Sequence, residues 1–294
     1  MRRGLAAITL FAASTVCAQV PEANPARPTV TNPATLPPVG YLQFEQGYNG
    51  ALRSPETDTQ YSVVQTIRLA VESHLMLQMA SQPFARSLVD GQPTRDAGDV
   101  LLGATVVLFS PHESEEDRAA EAKDRHLHSY VKAAVPTVSL SYQGRVYQGS
   151  APDLDMGSMR QGLTLLASGH SPIIDAHYDS NLVVNEQVDD NGVRRAQVGE
   201  TISFDRPVIS QSVQFSGELY HFTQPLVHAD PTGRPVGRAH MVAVLAAASY
   251  QMKPNLVFDA GFSRGLTSTT TRWQSFAGFT YLLPQRLWPQ RKRG

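Results

Sequence analysis

The stretch SPIIDAHYDSNLVVNEQ, residues 171–187, alternates between polar and apolar side chains over most of its length. Polar residues spaced two or four apart are Asp175, His177, Asp179, Asn181 and Asn185. Apolar residues such as Tyr178, Leu182 and Val184 lie between them. Because successive side chains of an extended strand point to opposite faces, the stretch predicts a β-strand with one polar and one apolar face.

Runs of this character recur at intervals of about twenty residues, separated by Gly, Pro, Asn, Asp and Ser. They are about 10–14 residues long, whereas strands of globular proteins usually have about 5–6 residues and barrel spans need about 9–11. Twelve runs are distinguished, at 40–49, 60–71, 74–83, 98–109, 135–148, 159–169, 172–186, 193–204, 208–222, 237–250, 254–264 and 271–283. We therefore predict an all-β fold, a transmembrane antiparallel up-and-down β-barrel of about twelve strands over residues 39–288.

The connections between the runs fall into two classes. Those after the second, sixth, eighth and tenth runs are short and centre on ES, GH, DRP and MKP, while most others are longer and more polar, as in ALRSPETDT. Short turns at one end and long loops at the other are typical of an outer-membrane barrel with both termini in the periplasm. One connection breaks the pattern, because residues 111–132 are rich in Ala, Glu, Lys and Arg and favour a short exposed helix whose role the sequence leaves open.

The N-terminal residues predict export. A basic start and the apolar run 5–16 precede small residues, which is the pattern of a signal peptide over residues 1–18. Acylation of Cys17 is the weaker alternative, because Val16 is bulky where lipoprotein signals have a small residue. Cleavage removes the only cysteine, so the exported chain has no disulfide, thiolate nucleophile or Cys-based metal site.

The segments that flank the predicted barrel are irregular. Residues 19–38 contain six prolines and no periodic apolar face, which predicts a Pro-rich periplasmic linker. Residues 289–294 form a short basic tail that we expect to be solvated. The formal net charge of the chain is −1, so nothing indicates a nucleic-acid partner.

The polar faces of the strands define the candidate site. In a barrel they point into the lumen, and the residues expected to line a substrate path are Gln43, Glu45, Asp175, His177, Asp179, Asn181, Asn185, Gln214, Ser216, Glu218 and Asp259. Asp175, His177 and Asp179 could alternatively supply metal ligands. No HExxH motif or Cys cluster accompanies them. We therefore expect lumen residues, with no metal site, catalytic residue or cofactor.

Aromatic residues fall mostly toward the ends of the runs. They are expected in the interfacial girdles of a barrel and comprise Tyr41, Tyr48, Phe109, Tyr147, Tyr178, Tyr220, Phe222, Trp273 and Tyr281. The last run, TRWQSFAGFTYLLPQRLW (271–288), resembles the closing strand by which bacterial outer-membrane proteins are recognised for insertion, although PQRKRG follows Trp288. The resemblance implies barrel-assembly machinery and outer-membrane lipid as partners.

Four segments together resemble one known group of bacterial proteins: RPTVTNPATLPPVGYLQFEQGY (27–48), GDVLLGATVVLFSP (98–111), GELYHFTQP (217–225) and PNLVFDAGFSRGLTSTTTRWQSFAGFTYLLPQRLW (254–288). The group comprises transporters and the outer-membrane family named for the MetA pathway of phenol degradation. The resemblance covers nearly the whole exported chain and extends to strand order. It implies a barrel in the outer membrane of a Gram-negative cell for passive passage or uptake of small hydrophobic or aromatic molecules, and it transfers no catalytic residues.

Two other classes of protein remain open on the sequence. An outer-membrane enzyme of lipase type would need a Ser–His pair, but Ser216 with His221 and Ser180 with His177 have opposite strand parity. Neither pair therefore faces one side of a strand, and we expect no enzyme. A soluble periplasmic or surface β-sandwich that binds a partner would show the same alternation, with its apolar faces packed together.

Overall fold

The computed structural model describes residues 21–111, 135–152, 154, 159–188, 194–225 and 237–288. Its strands are β1 (Leu42–Leu52), β2 (Thr59–Glu72), β3 (Leu75–Val89), β4 (Gln92–Asp96), β5 (Val100–Phe109), β6 (Thr137–Tyr147), β7 (Met159–Ser171), β8 (Ala176–Val188), β9 (Arg194–Ser210), β10 (Val213–Pro225), β11 (Arg238–Lys253), β12 (Leu256–Gly265) and β13 (Trp273–Leu282). Within the described residues, no helix is long and apolar enough to cross a membrane.

The strands close into one antiparallel barrel. Neighbours in sequence pair with each other, and β1 pairs with β13 to complete the ring. The short strand β4 pairs with the C-terminal part of β3, residues 85–89. The N-terminal part of β3, residues 75–81, pairs with β5. The ring therefore has twelve strands, as predicted, and β4 extends one hairpin beyond it.

Turn lengths differ between the two ends of the barrel. The turns at 73–74, 172–175, 211–212 and 254–255 lie at one end, where β1 begins and β13 ends, and we call this the short-turn end. The opposite end, the long-loop end, carries connections such as 53–58 and 266–272. The predicted separation of short turns from long loops is confirmed for these connections.

One turn lies later in the chain than predicted. The sequence placed the turn between the eighth and ninth runs at 205–207, but β9 continues to Ser210. Pairing of β8 with β9 ends at Asp205, so Pro207, which has no N–H to donate, lies beyond that ladder. A register shift between Val213 and Gln214 absorbs the extra residues against β10. Proline is tolerated here because no hydrogen bond to β8 is required.

The barrel is polar inside and apolar outside. On β9, Gln197 and Ser203 are 0% and 2% exposed. The residues that follow each of them, Val198 and Phe204, belong to the opposite parity and are 47% and 37% exposed. A soluble sandwich would bury the apolar set instead. The fold is an all-β transmembrane barrel, and the sandwich alternative is wrong.

Residues 21–38, here called the plug, lie inside the barrel. They contain no strand, and their backbone groups bond to inward-facing side chains of the wall, as from Ala26 N to Glu45 Oε1 (3.3 Å) and from Thr31 N to Glu218 Oε1 (2.7 Å). The prediction of a periplasmic linker is therefore wrong for these residues. Its prolines have no N–H to satisfy, and several of the remaining polar groups find partners on the wall rather than in water.

Some predictions fall outside the described residues. They concern the signal peptide at 1–18, nearly all of the segment 111–132, and the basic tail at 289–294. These remain predictions.

Candidate functional site in the barrel lumen

Most of the residues predicted to line the lumen lie on the inward face of the wall. Those with less than a tenth of their surface exposed are Gln43, Glu45, Asp179, Asn181, Asn185, Glu218 and Asp259. His177 and Ser216 are half-buried on the same inward parity, and Gln214 is exposed at the short-turn end of β10.

Asp175 does not belong to this set. It lies in the turn between β7 and β8 with a positive φ of 48°, and 69% of its side chain is exposed. Its carboxylate contacts His170 Nε2 at 3.2 Å and Arg206 Nη2 at 3.4 Å. The prediction extended the strand alternation through a turn, where the period of two no longer holds.

The plug enters the lumen at the short-turn end. The N–H of Ala23 donates to the carbonyl of Pro254 (2.8 Å), and the side chain of Ala23 packs with Val257 and Leu282. One step further, Asn24 exchanges two hydrogen bonds with the amide of Gln43, at 2.9 and 2.6 Å. These contacts hold the start of the plug against β1, β12 and β13, and the residues that follow lie deeper in the barrel.

Arg27 makes an ionic contact with the wall. Its guanidinium donates from Nε and Nη2 to Asp259, at 3.2–3.3 Å, and the side chains are 15% and 2% exposed. The guanidinium lies over Gly47 and Gly278, which face each other across β1 and β13. A Cβ at either glycine would collide with Arg27. The two glycines therefore form the space that lets Arg27 reach Asp259.

Glu218 is the wall residue that binds the middle of the plug. Its carboxylate accepts hydrogen bonds from the N–H groups of Val30 (2.8 Å) and Thr31 (2.7 Å) and from the hydroxyl of Thr31 (2.5 Å). The same hydroxyl contacts Thr201 Oγ1 at 2.7 Å on the neighbouring strand. Hydrogen bonds to an ionised acceptor are about twice as strong as neutral ones, so this is the most concentrated polar anchor of the plug.

Asn32 connects two distant parts of the wall. Its Oδ1 accepts from Arg68 Nη2 on β2 (2.9 Å). Its backbone N–H and C=O pair with the amide of Asn181 on β8, at 2.9 Å each, with that amide oriented to satisfy both groups. Strands β2 and β8 are separated by four strands one way round the ring and six the other. The plug therefore crosses the lumen from one side to the other.

The plug then returns toward β1. The N–H of Ala34 donates to Ser168 Oγ, and Ser139 Oγ donates to the carbonyl of Ala34, both at 2.6 Å. Asn24 Nδ2 donates to the carbonyl of Thr35 (2.9 Å), which ties the rising and returning arms together. The plug is a folded-back loop whose contacts lie toward the short-turn end of the barrel.

An apolar strip on the inner wall adjoins the middle of the plug. Tyr220, Phe222, Met241 and Ala243 form an inward cluster on β10 and β11, with Val30 of the plug and Val183 packed against it. The ring of Phe222 lies over Gly199, which has no side chain to displace it. The prediction that Tyr220 and Phe222 lie in interfacial girdles is wrong. Their parity is that of Glu218, so alternation could have placed them inside.

The sequence did not identify the plug residues as part of the site. Arg27 and Asn32 lie in a Pro-rich stretch without periodicity. The inward or outward direction of a side chain can be predicted from sequence only where the polar and apolar residues alternate regularly. The one available signal was compositional, because Arg27 is a lone cation in a segment otherwise poor in basic residues. Its partner Asp259 could not have been inferred, since it lies 232 positions away.

Comparisons with known proteins bear on the fold. No protein-family model and no curated protein matches the sequence. Among solved structures, the COG4313 outer membrane channel from Pseudomonas putida F1 is 14% identical, with 89% of this chain and 100% of that chain covered and a TM-score of 0.56. The NanC porin is 9% identical, with coverages of 82% and 98% and a TM-score of 0.46. The translocator domain of autotransporter NalP from Neisseria meningitidis is 11% identical, with coverages of 83% and 88% and a TM-score of 0.46. The chain thus shares its barrel fold with an outer-membrane channel.

Proposed function

We propose that this protein is an outer-membrane channel for passive passage of small molecules, and that its own N-terminal plug controls the width of the lumen. The observation that carries the proposal is how the plug is held. Its contacts with the wall are hydrogen bonds, an ionic contact and side-chain packing, with no strand pairing between plug and wall. Each such bond contributes about 0.5–3 kcal/mol net, and water entering the lumen can replace it. The plug can therefore be displaced without unfolding the barrel.

The sidedness of the channel follows from the fold. Short turns of outer-membrane barrels face the periplasm, so the plug enters from the periplasmic side and the long loops face the outside. We further propose that a signal peptide exports the chain, that barrel-assembly machinery inserts it, and that outer-membrane lipid surrounds its apolar outer face. An enzyme is disfavoured because Ser216 and His221, and likewise Ser180 and His177, face opposite sides of the wall.

The substrate class that we propose is small hydrophobic or aromatic molecules. Support comes from the apolar strip at Tyr220, Phe222 and Met241, which lies inside the barrel next to the plug. Aromatic solutes stack against such rings, whereas a small polyol such as glycerol has no aromatic face with which to do so. The strip would give an aromatic solute a resting place on the way past Val30.

Conductance in planar bilayers tests the channel. We expect the full-length protein to give small or intermittent currents, and Arg27→Ala to raise the open fraction because Asp259 loses its cation. Arg264→Ala is the matched control, because Arg264 lies over Trp273 on the outer face, 4.6 Å from the ring. Currents that remain absent in Arg27→Ala, or that rise equally in both variants, would contradict the proposal.

Current blockade tests the substrate class. Phenol added to an open channel should interrupt the current for longer than glycerol does, and Phe222→Ala should shorten the interruptions by phenol only. Equal blockade by the two solutes, or no change in Phe222→Ala, would leave a non-selective channel and remove the aromatic preference.

A further inference from the structure

Three metal-ligating side chains converge on the lumen wall at the short-turn end. His177 and Asp179 lie two residues apart on β8 and so face the same side, and Asp205 is the cross-strand partner of His177 on β9. One ligand atom from each of the three lies within 4.8 Å of the others. Within this set, His177 Nε2 and Asp179 Oδ1 are 3.2 Å apart. Asp179 is buried, and His177 and Asp205 are half-buried.

The spacing of the three donor atoms suits a transition metal. Zinc binds His nitrogen and carboxylate oxygen at about 2.0–2.2 Å, which places two tetrahedral ligands roughly 3.4 Å from each other. The separation of His177 Nε2 from Asp179 Oδ1, 3.2 Å, is close to this, and an Asp205 oxygen lies within 4.8 Å of both atoms. An imidazole with two carboxylates favours zinc and similar divalent ions over calcium or magnesium, which prefer oxygen ligands alone.

The charge of the cluster also calls for a cation. Asp179 and Asp205 place two carboxylates beside one histidine, and no Arg or Lys of the described residues forms an ion pair with either carboxylate. Arg206, the residue that follows Asp205 on β9, pairs instead with Asp175 in the exposed turn. Two neighbouring carboxylates disfavour each other's negative charge, and a bound cation would relieve that repulsion.

A neighbouring strand orients one of the ligands. Ser168 on β7 donates a hydrogen bond to Asp179 Oδ1 (2.5 Å) and accepts one from Ala34 N of the plug. Such second partners of a metal-binding carboxylate fix its orientation. His170 is the cross-strand partner of His177 on β7, but its Nε2 contacts Asp175 (3.2 Å). We therefore do not include it among the three ligands.

We propose that His177, Asp179 and Asp205 bind one divalent transition-metal ion, best matched by Zn²⁺, at the periplasmic mouth of the lumen. Three protein ligands leave at least one coordination position for water from the lumen. The proposal goes beyond the channel function and does not depend on it, because metal binding can be measured on protein in detergent without any conductance.

The test is zinc binding by full-length protein purified without a polyhistidine tag. Isothermal titration should show a Zn²⁺ site whose affinity falls by at least about tenfold in His177→Ala and in Asp205→Asn, as expected when a ligand is removed. His221→Ala is the matched control, because His221 stacks on His240 outside the lumen, with ring centroids 5.5 Å apart. Heat-modifiable migration on SDS gels checks that each variant is folded.

A second measurement needs no substitution. Co²⁺ added to the wild-type protein should give visible absorption bands of a nitrogen- and oxygen-ligated ion, and Zn²⁺ should displace them while Ca²⁺ should not. The proposal is overturned if the wild-type protein binds no Zn²⁺, if binding is unchanged in both lumen variants, or if only His221→Ala removes it.

Discussion

The two halves of the lumen are built from the same alternating strands, yet their polar groups find different partners. In the half next to the short turns, the carboxylates of Glu218 and Asp259 meet groups of the plug. In the half next to the long loops, wall residues bond to each other, as in the series Asn185 to Gln197 to Gln224 at 2.9 and 3.3 Å. Alternation determines which side a residue faces, but not what it faces there.

The difference has a physical basis. A carboxylate inside a protein needs a strong donor or water, because an unpaired buried charge costs several kcal/mol. Neutral amides can satisfy one another within the wall at much lower cost. Glu218 and Asp259 therefore have the plug as their partner in this structure, whereas the amide series has partners within the wall. If the plug moves as proposed, the first half is the movable one and the second half is fixed.

Removal of the strongest plug anchor should have the largest effect. Glu218→Ala leaves the N–H groups of Val30 and Thr31 and the Thr31 hydroxyl without their acceptor. Hydrogen bonds to a charged acceptor contribute about 1.5–3 kcal/mol each, and about 1.4 kcal/mol is already tenfold in population. We expect the open fraction in planar bilayers to rise by at least about tenfold.

The control for Glu218→Ala is Glu218→Gln. The amide keeps an oxygen acceptor of the same size but loses the charge, so its open fraction should fall between wild type and the alanine variant. A current that is the same in all three proteins would show that the plug is not held through this carboxylate.

A substitution of Gly47, one of the two glycines against the Arg27 guanidinium, should have an intermediate effect on the open fraction. Gly47→Val places a side chain where the guanidinium lies, so Arg27 must shift and its contact with Asp259 must lengthen. A flexible Arg can partly adjust, and we therefore expect a smaller rise in open fraction, corresponding to about 1–2 kcal/mol. Gly217→Val is the matched control, because a Cβ at Gly217 would meet no atom within 4 Å. If the two glycine variants behave alike, the close packing around Arg27 is not what holds the plug.

The sequence predicted the strands of the barrel wall much better than the plug inside the barrel. Strand number and the inward position of Glu45, Asn181 and Glu218 follow from a period of two, which is a local property of extended chain. The turn at 211–212 was missed because Pro207 indicates a turn by its own chemistry, whereas the tertiary pairing of β8 ends before it. The plug was missed for a different reason. Its conformation depends on partners such as Asp259, 232 positions away, and no local pattern encodes such a contact.

The smallest effect should come from the amide half. Asn185→Ala removes one neutral hydrogen bond, from Asn185 Nδ2 to Gln197 Oε1, in a wall whose backbone ladder stays intact. A neutral bond contributes about 0.5–1.5 kcal/mol, and a neighbouring amide left near a wet lumen can bond to water instead. We expect single-channel currents and the heat-modifiable gel shift to stay close to wild type. An Asn185→Ala channel as open as Glu218→Ala would mean that the amide half also restrains the plug, and the division of the lumen into a movable and a fixed half would then be wrong.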